Sequence, residues 1–556
     1  MKNPCIIVQS NMEVLLNVDS EQHHEARDAI APFTELVKSP EHFHTYSISH
    51  LSLWNAASTG LTANDVFERL KKYSTYEIPT AVTVEVTEYM GRYGILRLVL
   101  KDSNLILECD SEPLFLELCR RKELQDYIET WTSKKSAIVS PLVRGKLKIL
   151  LTELGFPVQD LAGYVKGDPL DIELKQTLES GEAFTLRDYQ KDAAQVFYAS
   201  GSEKGGSGVI VLPCGSGKTI IGMAAMTLIK AHTLILTPSV TAARQWIREI
   251  LQKTNLTKDQ VKEYSGDIKE IGPVTVATYQ ILTQRKKNAD LKEFSNFSIF
   301  SAQKWGLMIY DEVHLLPAPV FRFSADMQAT RRLGLTATLV REDNKETEVF
   351  SLIGPKKFDI PWRVLEAQGW IAQAKCHEIR VSMNTELRMV YAVAPPREKI
   401  VIAGCNPEKF NIVRELLEKH SDESDRVLII GQYIEQLENL AKEINIPLIT
   451  GKTPNKERDV IYDSFRSGEI RILMVSKVGN FAIDLPDASV LIQISGTFGS
   501  RQEEAQRLGR ILRPKKDGRP ALFYSIVTKD SKEQEFAMNR QLFLAEQGYG
   551  YEIMTS

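Results

Sequence analysis

Cysteine is scarce: Cys5, Cys109, Cys119, Cys214, Cys376 and Cys405 are the six in 556 residues, and no two form a CxxC pair. That excludes a disulfide scaffold and a zinc knuckle, and fits a reducing, intracellular setting. A secretory leader is missing, since the apolar run in MKNPCIIVQSNMEV ends almost at once. No apolar stretch approaches the roughly 20 residues that span a bilayer, so no membrane partner is expected. Short-period repeats and low-complexity tracts are lacking too. Charge of one sign is not in excess: 69 basic residues face 72 acidic ones, a formal net charge of -3. A polyanion would therefore have to be held in a local basic channel. His42 and His44 in EHFHTYS have no carboxylate or cysteine at ligand spacing and read as polar surface histidines.

What is present is ordinary globular composition, 43% hydrophobic and 25% charged. The length suggests roughly three or four domains. Residues 1–170 read as α+β. Thr62 is a candidate N-cap for a helix with Val66, Phe67 and Leu70 on one face. Pro79 is placed to open a second helix, although AVTVEV is rich in strand formers. ILRLVL is a predicted strand. Helix, helix, strand, strand is the order of a winged helix. The polar segment 167–181 reads as a linker.

Beyond it, continuous apolar strands (GVIVLP, TLILTP, PVTVAT, WGLMIYDE, RRLGLTAT) alternate with helical patterns. Such runs imply a parallel sheet covered on both faces. The pattern returns in RVLIIG, PLIT, IRILMVS, VLIQIS and ALFYSIV, so two α/β lobes follow one another. The expected divisions are 1–105, 106–170, 171–380 and 381–556.

VLPCGSGKT joins a strand to the apolar helix IIGMAAM. Small residues let the loop that Pro213 opens close round phosphates with the backbone N–H groups of Cys214, Gly215, Ser216 and Gly217, and the helix start favours anions. Lys218 is placed to reach the β- and γ-phosphates of ATP, and Thr219 to hold Mg²⁺. Leu212 stands where the broad phosphate-loop pattern has Gly or Ala. In LMIYDEVH, strand residues carry Asp311 and Glu312 to a carboxyl end, where parallel sheets bind ligands. Asp311 is assigned to the metal and Glu312 to the base for an attacking water. In QRLGRILRP, which begins at Gln506, Arg510 and Arg513 lie three apart and point the same way, suiting a γ-phosphate met across a cleft. Arg187 and Gln190 in FTLRDYQ suit adenine recognition. Candidates for contact with a nucleic-acid backbone are Thr237, Thr278, Gly451, Lys452, Ser476 and Lys477. Each of these motifs taken singly has a plainer reading as loop, acidic strand end or basic helix face; their order and spacing together favour the sharper one.

LRDYQ, PCGSGKT, LTPSV, ATYQ, DEVH, TAT, KVGNFAIDLP and QRLGRILR resemble, in order, the motifs of superfamily 2 helicases. TATLVRED goes further. With LEAQGWIA, NPEKF, IDLPDASVLIQIS, the C-terminal FYSIVTKDSKEQEFAMNRQLFLAEQGYGYEI and TYSISHLSLWNAASTGLTANDVFERLKKYS it resembles the xeroderma pigmentosum group B (XPB) family over nearly the whole chain. The resemblance implies two RecA-like lobes behind a smaller α+β N-terminal region, with a damage-recognition-like domain over 106–170 and a short thumb-like insertion over 382–404. It implies an ATP- and Mg²⁺-dependent DNA helicase or translocase, 3′ to 5′, acting in repair. It adds Gly479 and Asp484 to the nucleotide set and Gln506 to the catalytic one. Thr336 and Thr338 would link nucleotide and DNA sides, and Arg341, Glu342 and Asp343 would act in unwinding. The chain departs from the pattern at Asn480, Phe481 and Ala482 and in SGTFGSRQEE, which bears on DNA grip more than on hydrolysis. Lacking the long charged N-terminal extension of eukaryotic members, it resembles a bacterial form, expected in the cytoplasm at the nucleoid. Rival readings are an RNA-remodelling ATPase, which Arg341–Asp343 argues against, and a DNA clamp that recruits a nuclease and unwinds little.

Overall fold

The computed structural model describes residues 4–40, 42–213, 215–283, 296–317, 320, 327, 330–337, 346–476, 488–496, 508–509, 511, 518–547 and 549–555. One compact unit comprises residues 1–212 and 217–359; the other is centred on 360–556.

The first unit begins with β1–β4 (Ile6–Val8, Glu13–Asn17, Glu35–Lys38, Phe43–Ser47), an antiparallel sheet in the order β1-β2-β4-β3. The helix Ala63–Tyr73 starts where expected. Asp65 N–H donates to Thr62 Oγ1 at 3.2 Å while Thr62 N–H donates to Asp65 Oδ2 at 2.7 Å, a reciprocal cap. AVTVEV is helical, within Thr80–Arg92. Val82, Val86 and Met90, four apart, are buried on one face, and that burial outweighs their strand preference.

Next come β5–β9 (Leu96–Lys101, Asn104–Cys109, Ile128–Ser133, Ser136–Val139, Gln159–Leu161), one sheet in the order β7-β8-β6-β5-β9. The β5–β6 hairpin lies in its middle and is not a separate wing. The division expected at 105/106 cuts β6, because Leu96, Leu98, Leu105 and Leu107 share one core with Phe115 and Leu147. The segment read as a linker is strapped down: Leu170 and Ile172 are buried, Leu170 N–H donates to Lys230 O at 3.0 Å and Lys175 N–H to Lys253 O at 2.9 Å. Gly167 has φ +74°, and a Cβ there would sit 2.4 Å from the Gly306 backbone, so only glycine allows the approach.

The lobe that follows is built on β10–β16 (Ser207–Val211, Thr233–Thr237, Val261–Tyr264, Val274–Thr278, Leu307–Asp311, Arg331–Thr336, Lys356–Asp359). All pairs are parallel, in the order β12-β13-β11-β14-β15-β10-β16. The second unit repeats the plan with β17–β23 (Ala374–Val381, Val427–Gly431, Leu448–Ile449, Ile472–Ser476, Val490–Gln493, Ala521–Thr528, Tyr551–Thr555), ordered β19-β20-β18-β21-β22-β17-β23. β17 pairs along its whole length with β22, so the division expected at 380/381 moves back to 359/360. The insertion over 382–404 forms two helices, Thr385–Val393 and Pro396–Gly404, with Met389, Val390 and Val393 exposed. The fold class is that expected: two tandem parallel-sheet lobes behind an α+β region.

The second unit buries an ion pair. Lys409 Nζ lies 2.8 Å from both Glu533 oxygens and donates to Ile494 O at 2.9 Å; Glu533 also accepts from Thr528 N–H at 2.9 Å. Removing one partner strands a buried charge, which costs about 3–5 kcal/mol. Lys409→Ala should lose about that much in the urea transition of this unit. A loss below about 1 kcal/mol, the range of exposed pairs, would mean that the pair is open to water.

Candidate nucleotide site

The carboxyl ends of β10, β15 and β14 lie side by side. Val211 pairs with Thr336, Leu335 with Asp311, and Leu212 N–H donates to Thr336 O at 3.0 Å. The Gly-rich loop leaving β10, the acids leaving β14 and the hydroxyl closing β15 are therefore brought to one edge.

Gly215 and Gly217 have φ +81° and +83°, left-handed values that suit glycine. Gly217 is the N-cap of the helix Lys218–Ile229. Buried Ser216 donates from Oγ to Pro213 O at 2.7 Å, tying the loop to itself. Gln190 meets the loop from the side, its Nε2 lying 2.6 Å from where a Cβ on Gly217 would be. Its Oε1 accepts from Arg187 N–H at 3.0 Å, and Arg187 Nη1 donates to Tyr189 OH at 3.1 Å. Gln190 thus stands against the loop with Arg187 bonded to it, and Gln190 Oε1 is already used within the chain. Thr219 is half-buried in the first turn of the helix.

Lys218 Nζ donates to Leu212 O at 3.4 Å and stands 3.8 Å from Glu312 Oε1. Asp311 accepts from Trp246 Nε1–H at Oδ2 (2.9 Å) and from Tyr279 OH at its backbone carbonyl (2.8 Å). Burial raises the Asp311 carboxyl to about 6, the Glu312 charge pushes the same way, and Trp246 and Lys218 pull it down. Glu312 turns the chain at φ +47°, which is left-handed for a non-glycine residue. Its buried Oε2 has no hydrogen-bond partner among the described residues and lies 3.5 Å from His314 Nδ1. His314 Nδ1 in turn is 2.7 Å from Thr336 Oγ1. A continuous line runs from Lys218 through Glu312 and His314 to Thr336.

Trp246, Tyr279 and His314 touch the candidate residues without being among them. Tyr279 and His314 lie inside the motifs ATYQ and DEVH without being singled out there, and Trp246 lies in none of the motifs.

The remaining candidates divide. Thr237 and Thr278 pair at the same edge but are buried: Thr237 Oγ1 donates to Ser239 O at 3.2 Å and Ala277 O at 3.3 Å, and Thr278 Oγ1 accepts from Ile281 N–H at 3.3 Å. Both hydroxyls hold the chain's own backbone. In the second unit Gly451 and Lys452 are exposed, Gly451 O accepting from Arg458 Nη2 at 3.0 Å and Lys452 N–H donating to Thr450 Oγ1 at 3.2 Å. Ser476, at the end of β20, is buried, and its hydroxyl has no hydrogen-bond partner among the described residues. Cys214, Thr338, Arg341, Glu342, Asp343, Lys477, Gly479, Asp484, Gln506, Arg510 and Arg513 lie outside the described residues.

A Gly-rich loop entering a helix, with paired acids one strand away on a parallel sheet, defines a phosphate-loop nucleotide-binding lobe. Residues 183–341 match the model for the type III restriction enzyme res subunit, 6–129 that for a helicase conserved C-terminal domain, and 365–556 that for the ERCC3/RAD25/XPB C-terminal helicase. The DNA 3′-5′ helicase XPB of Mycobacterium tuberculosis is 51% identical across 100% of this chain and 98% of its own. That of Kineococcus radiotolerans is 49% identical across 100% and 97%. The general transcription and DNA repair factor IIH helicase/translocase subunit XPB/SSL2 of Saccharomyces cerevisiae is 30% identical across 99% of this chain and 72% of its own. The chain belongs to the XPB family of superfamily 2 helicases, as a bacterial-type member.

The loop geometry gives a direct expectation. Gly217→Ala adds a left-handed strain of about 1–2 kcal/mol and a clash with Gln190. Gly60, at φ +95° with nothing within 4 Å of an added Cβ, carries the strain alone. Thermal unfolding should therefore show a larger loss for Gly217→Ala than for Gly60→Ala. Equal losses would mean that Gln190 does not press on the loop.

Proposed function

We propose that this chain is an ATP-dependent DNA 3′-5′ helicase or translocase that opens DNA in repair or in a transcription-linked process. The line from Lys218 through Glu312 and His314 to Thr336 carries the reading, since it ties the phosphate end of the site to the strand end from which TATLVRED departs. The DNA 3′-5′ helicase activity named for relatives about half identical over the full chain supports it.

In this reading Lys218 and the loop N–H groups hold the phosphates, Arg187 and Gln190 flank the base, and Glu312 accepts the proton of the attacking water. Arg510 and Arg513, with Gln506, act on the γ-phosphate, and Gly479 and Asp484 complete the nucleotide set. Mg²⁺ fits the donors present: the Glu312 carboxylate lies 3.8 Å from the Lys218 ammonium with the Asp311 carboxylate next to it in the chain, and a buried Glu312 oxygen lacks a hydrogen bond among the described residues. Mg²⁺ is usually held by one or two carboxylates plus phosphates, so Asp311 and Thr219 suffice on the protein side. The ion would neutralise charge developing on the phosphates.

Gly451, Lys452, Ser476 and Lys477 are the DNA-backbone contacts of the second lobe in this reading, and Thr336 and Thr338 the coupling hydroxyls. Thr237 and Thr278 act one step back, shaping the loops that follow β11 and β13. A nuclease that cuts opened DNA is the partner class we propose. No described helix is long and apolar enough to cross a membrane, and we place the protein in the cytoplasm, at the nucleoid.

Lys218→Ala should abolish ATP hydrolysis while the protein stays folded by circular dichroism. Glu312→Gln should bind ATP but turn it over about 10²–10⁴-fold more slowly, the usual loss when a general base is removed. Turnover near wild type in the first variant, or equal loss of binding and turnover in the second, would overturn these roles.

Changing Arg341, Glu342 and Asp343 together to Ala should leave hydrolysis near normal and slow strand separation at least about tenfold, or roughly 1.4 kcal/mol in that step. ATPase and strand separation falling in parallel would put the cluster at the nucleotide, and an unchanged separation rate would make it a solvated turn.

A further inference from the structure

The helix Val240–Lys253 presents one side chain to the nucleotide site from below. Trp246 is buried, and its six-membered ring passes beneath the helix that follows the Gly-rich loop. It passes there because Gly222 has no side chain: a Cβ at that position would lie 2.5 Å from Trp246 Cη2 and 3.5 Å from Ile309 Cδ1. The indole N–H then reaches Asp311 Oδ2 at 2.9 Å. From the other side Tyr279 OH holds the backbone carbonyl of the same residue at 2.8 Å. Asp311 is thus gripped at both its carbonyl and its carboxylate.

We propose that Trp246 is a positioning residue for the metal–nucleotide complex, its indole N–H fixing the orientation in which the Asp311 carboxylate meets the cation. Tryptophan is the apolar residue suited to this: it fills the space beneath Gly222 and carries one donor with no acceptor. A free carboxylate rotates about its terminal bond over a broad range, and a cation that demands near-octahedral geometry tolerates little of that. Phenylalanine would fill much of the same space and leave the carboxylate unheld. Gly222 belongs to the device, since any larger residue there would push the indole away from Asp311. The proposal rests on the assignment of Asp311 to Mg²⁺.

The test is binding of a fluorescent ATP analogue, excited directly and read by polarisation, as Mg²⁺ is titrated into full-length protein first held in EDTA. Trp246→Phe should raise the Mg²⁺ concentration at half-binding about tenfold, the size of one lost charge-assisted hydrogen bond, and leave metal-free nucleotide binding at the wild-type level. Asp311→Asn is measured alongside. A raised midpoint in Asp311→Asn with a wild-type midpoint in Trp246→Phe overturns the positioning role and leaves the metal assignment standing. A wild-type midpoint in Asp311→Asn overturns the metal assignment itself. Should Trp246→Phe fail to fold, the wild-type protein decides by the ¹⁵N-indole spectrum. The Trp246 N–H resonance should move when Mg²⁺ joins the nucleotide-bound protein and stay still in Asp311→Asn; a resonance that ignores Mg²⁺ in the wild type overturns the proposal.

Discussion

In the first lobe β14, β15 and β10 run side by side in parallel, with Asp311 beside Leu335 and Thr336 beside Val211. Everything chemical in the lobe depends on that register. A one-residue slip of β15 would turn the Thr336 side chain to the other face of the sheet. The hydroxyl would leave His314, and the link between the acid pair and the segment after β15 would be gone. The register is in turn held by buried apolar residues on both faces of the strands, which is why the sequence there reads as unbroken apolar runs.

Two local conformations turn this edge into a site. Glycine at 215 and 217 lets the loop take left-handed values without strain, so that its backbone can approach a ligand closely. Glu312 takes a left-handed value without that freedom, and the price in strain is of the kind found at functional positions. The turn sends Glu312 toward Lys218 and delivers His314, two residues on, beneath Thr336. Local strain and long-range register thus meet in one contact.

The Gly-rich loop, the acid pair and the two parallel lobes were legible because each is written in consecutive residues or in runs bounded by turns. The rest depended on pairings distant in sequence. AKCHEIRV carries charges and stands between lobes; its pairing with 521–528 and 551–555, far along the chain, assigns β17 to the second sheet. Thr237 and Thr278 sit at strand ends, where sequence does not say whether a hydroxyl turns outward or back to the chain. Trp246 lies on the apolar face of an amphipathic helix and looks like core; the clue was Gly222, the one glycine inside the helix Lys218–Ile229. The N-terminal hairpin β5–β6 read as a wing because three further strands of its sheet come later in the chain.

The central claim is that ATP turnover at this edge drives work on DNA. The most direct measurement sets ATP hydrolysis beside strand displacement, using single-stranded DNA, blunt duplex, duplexes with a 3′ or a 5′ single-stranded tail, and RNA counterparts. The account predicts hydrolysis stimulated by DNA more than by RNA, with displacement of the duplex carrying a 3′ tail. Stimulation by RNA alone, or strong DNA-stimulated hydrolysis without displacement or movement along the strand, would contradict it.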